Sequence, residues 1–178
     1  GDLTVASFST RPTVFDGALY RTGNRPSSLV VGDVDGDGDL DIVTAGYSSF
    51  TASVLLGNGD GSFASRVDYA GSGAKSVALG DVDGDGDLDI VTVGSSASVL
   101  LGNGDGSFAT PVDYALASRW TASVALGDVD VDGDLDVVMA GDSYYSGFSS
   151  SSAFVLLGNG DGSFATPVDY ASGSRAGS

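Results

Sequence analysis

The 178-residue sequence contains no cysteine, no histidine and no glutamate, and Lys75 is its only lysine. Without cysteine there is no disulfide and no thiol redox chemistry. Without histidine and glutamate the commonest general bases are missing, and no serine can be singled out beside a partner that would activate it. The sequence therefore predicts a protein that is not an enzyme. Positive charge is scarce too. Seven Lys and Arg against 24 acidic residues leave a formal net charge of −17, which argues against nucleic acid and anionic membranes as partners. No apolar run approaches the ~18 residues of a membrane-spanning helix, so membrane insertion is not expected. No signal peptide is visible and the only methionine is Met139, the pattern of a mature, trimmed or partial chain.

All the acidic residues are aspartate, and fifteen of the 24 fall in three copies of one stretch. DVDGDGDLD occupies 33–41 and again 81–89, and DVDVDGDLD occupies 128–136, with Val131 where the other copies have glycine. Aspartates at positions 1, 3, 5 and 9 of a tight loop, with glycine at position 6 (Gly38, Gly86, Gly133), suit a hard cation that takes six to eight oxygen ligands. Position 7 (Asp39, Asp87, Asp134) is expected to offer its backbone carbonyl and keep its side chain outside. The alternative is a merely soluble acidic turn. Five carboxylates in nine residues repel one another, however, and would oppose a compact fold without a cation. The expected cofactor is Ca²⁺ at three sites: Asp33, Asp35, Asp37, Asp39 and Asp41; Asp81, Asp83, Asp85, Asp87 and Asp89; Asp128, Asp130, Asp132, Asp134 and Asp136. Three such ions would bring the formal charge from −17 to −11. Magnesium fits less well, because it demands near-ideal octahedral geometry and keeps its waters. Nor is this an EF-hand: position 12 is Thr44, Thr92 or Met139 instead of a bidentate glutamate, and the flanks read as strands.

The acidic stretches lie 48 and 47 residues apart, and each heads a repeat. Within each repeat VLLGNGDGSF follows (54–63, 99–108, 155–164), and then VDYA (67–70, 112–115, 168–171). Four short strands per repeat result. In the second repeat they are a at 76–80, b at 89–93, c at 97–101 and d at 111–114. The NGDG between c and d is a hairpin-turn signal, so Asn58, Asp60 and their copies are assigned to turn chemistry rather than to metal. The recurring Phe63, Phe108 and Phe164, with Tyr69, Tyr114 and Tyr170, are expected in the core.

Four antiparallel strands at this period point to an all-β protein built of β-propeller blades. The acidic stretch followed by VLLGNGDGSF resembles the FG-GAP/VCBS repeat of integrin α-subunit heads, certain fungal lectins and bacterial surface proteins, over about residues 27–171. The resemblance implies a calcium-binding propeller of an extracellular or cell-surface protein. It implies as ligands the side chains of Asp33, Asp35, Asp37, Asp41 and their equivalents, with carbonyls from Asp39, Asp87 and Asp134. Val131 then falls on a non-ligand position, and the third site should survive it. Residues 1–26 align as a degenerate half-blade, with Thr4, Val5 and Ala6 on strand c and Ala18, Leu19 and Tyr20 on strand d. Residues 27–75, 76–120 and 121–171 form three blades of the same propeller domain, and 172–178 are a tail or the start of another. About three and a half blades leave exposed edges, so a homo-oligomer or further repeats are expected to complete the ring.

Function is then expected to be structural, adhesive or assembly-related. The alternative is a lectin that binds glycan, or a protein ligand, on the face opposite the calcium loops. There the repeats diverge: the b–c connection carries Tyr47 in the first repeat and Tyr144, Tyr145 and Phe148 in the third, where 141–153 reads as a long loop. The linker before the third repeat adds Arg119 and Trp120, the only tryptophan. Aromatics among serines suit stacking on a sugar, although they equally suit capping the blade core or packing against a neighbouring subunit.

Overall fold

The computed structural model describes residues 19–23, 25–46, 51–70, 74–116, 119–145 and 148–171, and at some positions the backbone alone. Tyr47, the segment 1–18 that holds Thr4, Val5, Ala6 and Ala18, and the tail 172–178 lie outside the described residues. The described chain is all β, in three four-stranded antiparallel sheets of identical up-and-down order. The first holds β1 (Pro26–Gly32), β2 (Asp41–Gly46), β3 (Thr51–Leu55) and β4 (Val67–Ala70). The second holds β5 (Ser76–Gly80), β6 (Asp89–Val93), β7 (Ser96–Leu100) and β8 (Val112–Ala115). The third holds β9 (Arg119–Gly127), β10 (Asp136–Tyr145), β11 (Phe148–Leu156) and β12 (Val168–Ala171). Strands a and b of the second repeat fall where the sequence puts them, and c and d within one residue.

The third sheet departs from expectation at the end away from its acidic loop. Most of the stretch read as a long loop is paired backbone, running from Gly141↔Ser152 to Tyr145↔Phe148. Arg119 and Trp120, assigned to a linker, lie in β9 opposite Ser143 and Asp142. Serine, threonine and aromatic residues sit readily on a pleated surface once a partner strand satisfies their backbone, and pairing decides what composition leaves open.

Burial follows from how the sheets stack. The first strands β1, β5 and β9 are neighbours in space. The second sheet lies between the other two, so β6 is buried along its whole length, whereas in β10 of the third sheet Val137 and Met139 are buried and Ala140 is exposed. One core, with Val43, Val54, Val77, Ile90, Leu100 and Phe108, lies between the first and second sheets; the other, with Val91, Val99, Val137, Met139, Phe154 and Phe164, lies between the second and third. The outer strands are largely exposed and are tied inward by polar pairs. Ser53 Oγ donates to Asp68 Oδ1 at 2.7 Å and Ser98 Oγ to Asp113 Oδ1 at 2.5 Å.

Each junction is closed at its rim by an edge-to-face aromatic pair. Tyr69 meets Phe108 with ring centroids 5.2 Å apart, and Tyr114 meets Phe164 at 5.6 Å. Tyr20 does the same to Phe63 at 5.3 Å, and its hydroxyl accepts the Phe63 amide hydrogen. Tyr20 thus occupies the position that a strand-d tyrosine of a preceding repeat would take. Tyr170 is the correction: expected in the core, it is 58% exposed. These tyrosines pack on the phenylalanine of the following repeat, and no described residue follows the third.

Candidate metal centre

Each acidic stretch joins the first two strands of its sheet, and its backbone is organised by its own carboxylates. Asp33 accepts the amide hydrogens of Gly36 at 2.8 Å and Gly38 at 2.9 Å. Asp37 accepts that of Asp39 at 2.8 Å. Asp81 and Asp128 repeat the first pattern with Gly84 and Gly86, and with Val131 and Gly133. Such wrapping requires left-handed backbone at positions 4 and 6. Gly38, Gly86 and Gly133 have φ of 93°, 98° and 102°, as the turn at position 6 demands. Position 4 is also left-handed: Gly36 and Gly84 adopt φ of 73° and 75°, and Val131 is held at 65°. A β-branched residue there is strained. The sequence marks the spot by placing glycine in the other two copies.

Carboxylate oxygens of Asp33, Asp35 and Asp37 lie within 4.8 Å of one another, as do those of Asp81, Asp83 and Asp85, and of Asp128, Asp130 and Asp136. Oxygen ligands on opposite sides of a calcium ion are separated by roughly that distance. The donor set is all carboxylate, which is what a hard cation prefers. Asp37 and Asp85 complete the first two clusters, whereas Asp136 completes the third and Asp132 stands outside it. Electrostatics agree. Burial pushes the Asp35 carboxyl above its ordinary value, and the neighbouring charges of Asp41, Asp37 and Asp33 add to the rise. Asp83 and Asp130 are raised as well, burial leading in each case.

Positions 7 and 9 do different work. Asp39, Asp87 and Asp134 are absent from the clusters; their carboxylates occupy the space where a side chain on Gly59, Gly104 or Gly160 would begin. The c–d turn therefore lies against the acidic loop, at the same end of the sheet, as antiparallel topology requires. Asp41, Asp89 and Asp136 are completely buried. One oxygen of Asp41 accepts the Val34 amide hydrogen and the other that of Gly57, both at 2.7 Å. Asp89 does the same with Val82 and Gly102, and Asp136 with Val129 and Gly158. The closing aspartate is thus a latch between the two turns, a role that spacing alone did not reveal. Burial pushes the Asp89 carboxyl up to about 6, with Asp83 and Asp85 contributing.

The NGDG turns behave as turn chemistry predicts. Asn58 Nδ2 donates to Ser62 Oγ at 2.8 Å, and Asp60 accepts the Ser62 amide hydrogen at 2.9 Å. The Ser62 hydroxyl and amide hold the Asp60 carboxyl below its usual value. These turns also reach the preceding repeat: Gly106 N donates to Val34 O at 3.1 Å and Gly162 N to Val82 O at 3.2 Å.

The residues expected on the opposite side are only partly brought together. Arg119, Trp120, Tyr144, Tyr145 and Phe148 all belong to the far end of the third sheet, at paired backbone positions.

The model of the FG-GAP-like repeat matches residues 33–92 and 91–139, and the chain belongs to this family. No curated protein matches the chain significantly. Among solved structures, the chain is similar to TcdB2-TccC3 without its hypervariable C-terminal region, at 18% identity over 74% of this chain with a TM-score of 0.42. The chain spans only 8% of the length of that protein.

Proposed function

We propose that this FG-GAP-like repeat protein is a non-catalytic, calcium-binding β-propeller module with a structural, adhesive or assembly role in a secreted or cell-surface protein. The observation that carries the reading is the threefold recurrence of clustered carboxylates at one end of three like sheets. The first cluster would hold its ion through Asp33, Asp35 and Asp37, the second through Asp81, Asp83 and Asp85, and the third through Asp128, Asp130 and Asp136. Calcium would act as a folding ligand, relieving carboxylate repulsion and fixing the hairpins whose turns form the repeat junctions. The three sheets are then blades, and Tyr20 marks the outer edge of a fourth. Family membership supports an extracellular setting, and no helix among the described residues is long and apolar enough to cross a membrane.

A thermal melt with calcium, with EGTA and with magnesium tests the reading. Each site filled to 100 times its Kd adds about 2.7 kcal/mol to stability. A large rise in Tm with calcium, a smaller one with magnesium and reversal by EGTA are expected. Indifference to calcium overturns the reading.

A second reading, that of a lectin, draws on the third sheet. β10 and β11 run to ten and nine residues where their counterparts have five or six, and they carry Tyr144, Tyr145 and Phe148 away from the acidic loops. Glycan-array binding that disappears in Trp120→Ala or Tyr145→Ala supports it. An array without signal removes it.

A further inference from the structure

The two junctions inside the chain are built alike. At Gly32 a side chain would collide with Leu79 and Leu88 of the second repeat, and at Gly80 with Leu126 and Leu135 of the third. Beside these notches Val34 and Val82 are each only 2% exposed. The third repeat presents the same notch to no described neighbour. Nothing lies within 4 Å of where a Gly127 side chain would start, Val129 is 52% exposed, and the Tyr170 ring is largely free.

The complementary half is on the opposite side of the same chain. In the first repeat the residues equivalent to Leu79 and Leu88 are Val31 and Leu40, which are 53% and 64% exposed. Gly61, the counterpart of the junction donors Gly106 and Gly162, likewise has open space around it. One copy therefore carries both an unfilled notch and the leucine-and-valine pair that fits it.

We propose that a second copy of this chain docks head to tail, with its Val31 and Leu40 entering the notch at Gly127 and Val129. The contact continues an interface that the chain already uses twice, in the same register, with Val31 and Leu40 in place of the leucine pairs Leu79 and Leu88, and Leu126 and Leu135. The Gly61 amide of the incoming copy would meet the Val129 carbonyl, as Gly106 meets Val34. At the rim, Tyr170 competes with the incoming copy's own Tyr20 for Phe63. Because the two faces differ, the contact is heterologous and leads to a ring or an open fibre. The Asp128–Asp136 loop borders the junction and each copy carries −17, so docking requires bound cation. The inference rests on the calcium reading above and names the partner that reading leaves open.

Light scattering in millimolar calcium on the wild type, Val31→Arg, Gly127→Gln and an equimolar mixture of the variants tests it, with circular dichroism to follow folding. Both substitutions fall on exposed or open positions, so each variant is expected to fold. The wild type is expected to give particles of two or more chains, each variant a monomer, and the mixture a dimer and nothing larger, since each variant retains the face the other has lost. A mixture that stays monomeric overturns the head-to-tail contact. A wild type that melts higher in calcium yet remains monomeric overturns the docking and leaves the functional reading standing. Calcium that changes neither mass nor Tm overturns both.

Discussion

Asp41 and Gly57, sixteen residues apart in the chain, are joined by a 2.7 Å hydrogen bond from the Gly57 amide to a fully buried carboxylate oxygen. The other oxygen of Asp41 holds the Val34 amide, so one side chain ties the acidic loop to the c–d turn. Asp41→Asn replaces one acceptor with an NH₂ group that must face a backbone N–H. It should cost roughly 2 kcal/mol even in EGTA, as expected for losing a charge-assisted bond and stranding a buried donor. Urea unfolding without calcium is the measurement. A variant as stable as wild type there would reduce Asp41 to a metal ligand alone.

Val131→Gly should stabilise the protein. Relieving a β-branched residue held in left-handed backbone is worth about 1–2 kcal/mol, less the added freedom of glycine in the unfolded chain. The Val131 side chain is almost fully exposed, so little packing is lost. Paired Tm values for wild type and variant, with and without calcium, decide the matter.

Thr44 and Thr92 are buried in equivalent strand positions, and neither hydroxyl has a hydrogen-bond partner among the described residues. The third repeat places Met139 there. Thr44→Val and Thr92→Val keep the shape and remove a stranded polar group, so each should be neutral or stabilising by up to about 1 kcal/mol. Destabilisation on chemical denaturation would reveal a partner for the hydroxyl.

Stability of the calcium-free protein should fall as pH rises through about 6. The Asp89 carboxyl is raised to about 6 in the fold from an ordinary 3.8, so the folded state binds the extra proton. Its contribution is complete below 3.8 and is lost as pH rises through the folded value. Asp83 and Asp85 contribute to that rise, so a cation held by them would favour the ionised Asp89, and affinity should weaken from neutral pH toward pH 5. Calcium titrations by calorimetry at several pH values, with melts in EGTA, check both signs.

The sheets and the carboxylate clusters were legible in the sequence because both rest on short-range chemistry. Alternating aspartates with glycine at position 6 set the loop, and VLLGNGDGSF set the following hairpin. Repetition made the three sheets readable as copies. What remained hidden depends on residues far apart in the chain. The latch by Asp41 needs the Gly57 amide brought beside it. The need for glycine at Gly59 comes from the Asp39 carboxylate across the turn. The extension of β10 and β11 was decided by strand pairing, which composition does not specify. Tyr170 and Tyr69 sit in the same local motif, yet one is exposed and the other packs on Phe108. The sequence by itself determined each repeat, because propensities and ligand spacing act within a few residues. Only the tertiary structure decided which equivalent residues are buried, because burial depends on whether another sheet lies across the face.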